Sequence, residues 1–129
     1  MESFVSRSDS QIMGLELLAI IVAWVTFAEH ISGCALRIWC DNRGGVASLR
    51  RGSAMSQDHN AQAHAVWLLA ARHRVALWLE WVGTDFNIAD DPSRGDFESM
   101  AQLGARWVEP HLPAQLWSPS DWFEMRVVL

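Results

Sequence analysis

Two short apolar runs, Ala35 to Asp41 and Val75 to Val82, frame the middle of this chain. The sequence between them is helical in pattern. At roughly 30 residues it is too long for a hairpin and long enough for a parallel crossover. Strand, helical crossover, strand is a βαβ unit, so the two strands are expected side by side and parallel, joined by a right-handed connection. Their length and the flanking Gly33 favour buried strands over short helices.

The helices are marked by their ends. Ser8-Asp9-Ser10-Gln11 fits a capping box, with Ser8 as the cap and Gln11 reaching back. It predicts a helix from about Asp9 to Ile31 that stops at Gly33. Its centre, Leu17 to Ala28, is apolar nearly all round, which implies burial on more than one side. Asn42 is expected to cap a helix over Arg43 to Arg51, closed by Gly52. Ser56 should cap another, Gln57 to His73. Arg72, His73 and Arg74 lie at its C-terminal end, where positive charge is favoured. Asp96 to Gly104 reads as a short helix. From Arg106 onward the chain carries Pro110, Pro113 and Pro119 with Trp107, Trp117, Trp122 and Phe123, and an irregular tail is expected. This divides the chain into a domain over residues 1–104 and a tail over 105–129 packing on it.

Composition narrows the function. Half of the residues are hydrophobic and 19% are charged, enough for a real core and too few charges for a disordered chain. The formal net charge of −5 argues against a protein that simply coats phosphates. A metal-dependent nuclease tolerates it better, because bound cations offset local carboxylates. All ten basic side chains other than histidine are arginine. Cys34 and Cys40, if both lie on the first strand, are roughly 20 Å apart, too far to bridge. They read as reduced core residues of an intracellular protein. Leu17 to Ala28 is shorter than the about 20 residues that a membrane span needs. Met1-Glu2-Ser3-Phe4 lacks the basic start of a signal peptide. The histidines, at 30, 59, 64, 73 and 111, show no ligand spacing and read as surface or cap residues. The tryptophans read mainly as core and tail packing rather than as base-stacking platforms.

Three acidic positions carry chemical interest. Glu16 heads a helical stripe with Ile20, Ala23 and Phe27, where a buried carboxylate is costly without a partner or a cation. Asp41-Asn42 ends the first strand. Asp90 and Asp91 lie in Asn87-Ile88-Ala89-Asp90-Asp91-Pro92-Ser93-Arg94, just after the second strand. The proline pushes Asp91 toward extended geometry. Taken singly, each has an ordinary reading: a solvated glutamate near a helix start, a turn pair, a polar loop.

Taken in order they resemble the ribonuclease H domains of retroelements. The resemblance runs from about Ile12 to Arg94 through Gly14-Leu15-Glu16-Leu17-Leu18-Ala19, Ile38-Trp39-Cys40-Asp41-Asn42 and the Asn87 to Arg94 box. Gly52-Ser53 follows the Asp-Asn pair as it often does in that family. Trp81-Val82 precedes the box, as in the long-terminal-repeat or tyrosine-recombinase forms, although Gly83 departs from the usual proline. The resemblance implies an α/β, ribonuclease H-like fold and hydrolysis of RNA in RNA–DNA hybrids. It makes Glu16, Asp41 and Asp90 the catalytic carboxylates, holding Mg2+ or Mn2+, with hard oxygen ligands selecting those ions. It places Asn42, Asn87, Ser93 and Arg94 near nucleic acid.

The family fold begins with three further strands, the first carrying a metal-bridging aspartate. Here about eight residues precede the first helix. The domain is therefore expected to be N-terminally incomplete and impaired or inactive as this chain alone. Its open strand edge invites another chain, a segment supplying the missing strands, or a second copy. The alternatives are a catalytically dead relic serving as an interaction module, and a nucleic-acid binder using Arg43, Arg50 and Arg51.

Overall fold

Leu17, Ile21 and Trp24 repeat at helical spacing, and all three are buried. They form the inner stripe of α1 (Gln11–Thr26), which packs chiefly on a second long helix, α4 (Gln57–Arg72). That helix contributes Ala63, Val66, Leu69 and Ala70 to the same core. The computed structural model describes residues 11–112. The capping box at Ser8 and the tail beyond residue 112 lie outside them.

The chain follows α1 with α2 (Ala28–Ile31), β1 (Ala35–Cys40), α3 (Arg43–Arg51), α4, β2 (Ala76–Trp81), a 3-10 turn at Thr84–Phe86, α5 (Asp90–Ser93) and α6 (Glu98–Gln102). β1 and β2 are parallel, in register from Ala35↔Ala76 to Cys40↔Trp81. The mixed helix–strand architecture with its parallel pair is thus the expected α/β arrangement. Leu36, Ile38, Leu77 and Leu79 join the core from the sheet. The opposite face carries Trp39 and Trp78, which are 55% and 61% exposed.

The caps explain where the elements stop. Asn42 Oδ1 accepts from Gly45 N–H at 2.8 Å and starts α3, and Gly52 closes it in the left-handed region at φ 72°. Gly33, at φ 77°, ends the first helical segment. Ser56 stands at the N-cap of α4, but its side chain makes no capping bond.

Several expectations are corrected. The first helix is not continuous to Ile31: it breaks at Phe27, after Thr26 Oγ1 donates back to Val22 O at 2.7 Å, a bond that bends helices. The box is not a plain turn with an extended Asp91. It forms α5, and Pro92 is tolerated because it sits in that helix's first turn, where its missing N–H is not needed. Cys34 precedes β1 and is exposed, so only Cys40 is a core thiol. His59 is buried, not a surface or cap residue. Among the described tryptophans Trp24 alone is a core residue, and the others are at least 37% exposed: strand alternation turns Trp39 and Trp78 outward, and Trp67 lies on an outer face of α4.

Candidate metal centre

Glu16 lies on α1 facing the end of the sheet, and Asp41 follows directly after β1. Cys40 ends that strand. One ligand atom from each of these three residues lies within 4.8 Å of the other two. Two of the three carboxylates picked out by sequence therefore meet.

The corner holding Asp41 is fixed from several sides. Val82 N–H donates to Cys40 O at 3.1 Å, and Trp81 Nε1–H to Asp41 O at 3.3 Å. The Arg43 guanidinium lies 3.8 Å from the centre of the Trp81 ring, a cation–π contact that leans α3 onto the end of β2. Asn42 bends the chain into α3 immediately afterwards. Gly44 leaves room for the Met13 side chain of α1, since a Cβ there would stand 3.1 Å from Met13 Sδ.

The electrostatics match this geometry. Burial raises the Glu16 carboxyl above its ordinary value, and the neighbouring Asp41 charge raises it further. The Cys40 thiol is raised by burial first; its bond to Asn42 O acts the other way, and the Glu16 and Asp41 charges raise it again. Cys40 thus remains a neutral thiol at pH 7, a poor ligand for hard cations. Two carboxylates that oppose each other's charge do fit Mg2+ or Mn2+, which would relieve that opposition.

Asp90 does not stand in this group. Its Oδ2 is 3.1 Å from Arg94 Nη2, and Ser93 Oγ donates to Asp90 O at 2.6 Å. Asn87 Oδ1 accepts from Ala89 N–H at 3.1 Å. Asn87, Ser93 and Arg94 thus shape the box loop from within. The loop still borders the centre, because Asn87 and Ala89 line a groove of about 310 Å³ together with Glu16. The stripe of Ile20, Ala23 and Phe27 forms the groove's long wall.

Sequence reasoning missed Cys40 as a neighbour of the carboxylates; its place beside Asp41 at a strand end was the available signal. It also grouped Arg43, Arg50 and Arg51 as one basic patch. Of these, Arg43 lies over Trp81 and Arg50 bonds the backbone of β2. Comparison with protein-family models, curated proteins and solved structures found no match. No helix among the described residues is long and apolar enough to cross a membrane.

Proposed function

We propose that this chain is a ribonuclease H-like domain of a retroelement polyprotein, in which Glu16 and Asp41 hold Mg2+ or Mn2+ for hydrolysis of RNA in RNA–DNA hybrids. The supporting observation is that two acidic side chains, distant in sequence, come within 4.8 Å on a helix and a strand end. Rigid elements of this kind are what a cation site needs.

A bound divalent cation would supply an acidified water and positive charge opposite the leaving oxygen. The chain's own part is to place two carboxylates and to bring a third within reach. Asp90 is held by Arg94. A nucleic-acid phosphate that draws Arg94 away would release the Asp90 carboxylate toward the groove that Asn87 and Ala89 already line.

Mn2+ binding followed by electron paramagnetic resonance tests the reading. One bound ion in the wild type, lost in both Glu16→Gln and Asp41→Asn, is the expected result. Unchanged binding in the two variants overturns it.

The Asp90–Arg94 pair also favours a second reading, a fold that binds partners without chemistry. Hybrid binding with no cleavage in Mn2+, insensitive to Asp90→Asn, selects that reading over the first.

A further inference from the structure

The two edges of the small sheet are not alike. In a parallel pair alternate residues turn their backbone groups toward the partner strand. Ala76 N–H donates to Cys34 O at 3.0 Å and Val82 N–H to Cys40 O at 3.1 Å. The even positions of β1 therefore face β2, and Ala35, Arg37 and Trp39 turn their N–H and C=O groups outward. On β2 the outward groups belong to Leu77, Leu79 and Trp81.

The β2 edge is capped. Arg50 Nε and Nη2 both donate to Leu79 O, at 3.2 and 2.7 Å. Arg50 also lies 3.6 Å from Glu80 Oε2, which holds the guanidinium across the edge. Nothing among the described residues does the same for β1. Beside its open edge lies the apolar groove between α1 and the sheet, walled by Ile20, Phe27, Leu36, Ile38 and Trp39. An open edge next to an apolar groove is a template for an added strand.

We propose that two copies of this chain pair through β1, antiparallel about a two-fold axis at Ile38. That register sets Ile38 against its own copy on the apolar face and Arg37 against Trp39 of the other copy on the open face. It suits both side chains, since the Arg37 guanidinium already lies 6.0 Å from the Trp39 ring within one copy. Moving the axis to Arg37 would instead oppose two like charges. The second copy is favoured over an unrelated strand because it closes the assembly. The sheet grows from two strands to four, and both outer edges then end in Arg50, so growth stops at two copies.

The pairing is independent of the cation centre. The register puts Asp41 opposite Ala35 of the other copy, so the two centres sit roughly 20 Å apart along the strand pair and neither completes the other.

Sedimentation equilibrium of the full 129-residue chain tests the pairing, with a mass of twice 14.5 kDa expected. Arg37→Pro removes an N–H that only the pairing uses, and Leu36 before it is already extended, as proline requires. It should run as a single chain with its circular dichroism unchanged. Arg37→Glu, which leaves the backbone intact, should weaken self-association at least tenfold and stands in if the proline variant unfolds. A single-chain mass for the wild type overturns the proposal. So does a double mass that survives in the folded variants, or growth beyond two copies.

Discussion

Trp24 and His73 are joined side chain to side chain. The indole Nε1–H donates to His73 Nδ1 at 2.9 Å across 49 positions of sequence. His73 caps α4 just before β2, so this one bond ties the end of α1 to the start of the second strand. A double-mutant cycle of Trp24→Phe and His73→Ala should show a coupling of about 1 kcal/mol in urea unfolding. Strict additivity would show that the bond contributes nothing.

Replacing Glu16 by glutamine should stabilise the domain near neutral pH. The folded protein holds the Glu16 carboxyl above its ordinary value through burial and the Asp41 charge. Below the ordinary value of 4.5 the group is protonated folded or unfolded, and no penalty arises. As pH rises through the raised value, the fold must carry a charge that its surroundings oppose. The wild type should therefore lose stability relative to Glu16→Gln between about pH 4 and neutral, by about 1 kcal/mol or less after solvent screening. Thermal unfolding across pH measures the gap. Under the proposed cation binding, millimolar Mn2+ should narrow it, since a cation held by Glu16 and Asp41 would stabilise the wild type alone.

Arg50 is expected to matter more than its exposure suggests. Arg50→Met leaves the Leu79 carbonyl without its two donors and opens the second sheet edge. A loss of about 1–2 kcal/mol is expected, together with light-scattering species larger than two chains. Unchanged stability and size would mean that the guanidinium is only a spectator.

Arg74 adopts φ 56° in the turn between α4 and β2, a region where L side chains are strained. Arg74→Gly should raise stability by about 1 kcal/mol, read from the denaturation midpoint. A drop would show that contacts of the arginine stem outweigh the backbone strain.

Much of the scaffold was legible in the sequence. Ala35 to Asp41 and Val75 to Val82 became strands Ala35–Cys40 and Ala76–Trp81, because each apolar run is bounded by residues that stop a strand. Asn42 and Gly52 announced both ends of α3. The break at Phe27 was hidden, since it depends on where the Thr26 hydroxyl points. The box helix was hidden too, because the rule for a residue before proline yields when proline sits in a first turn. Of the candidate centre, Glu16 and Asp41 could be paired only through the spacing of whole motifs. No local pattern says that a helix residue will lie against a strand end. Asp90 lies in a segment whose Asn87 and Ala89 border the groove, and its pairing with Arg94 is a local choice that the motif does not specify. Arg50 carried no signal, because its partner is a backbone atom brought near by folding.

A Cβ at position 44 would stand 3.1 Å from Met13 Sδ. That sulfur is the far end of a flexible side chain, so it can yield by a few tenths of an ångström before the helix backbone is asked to move. Alanine at position 44 is therefore expected to leave Glu16 and Asp41 where they are. The glycine marks a soft spot beside the corner, where crowding is cushioned by sulfur rather than passed on to the acids.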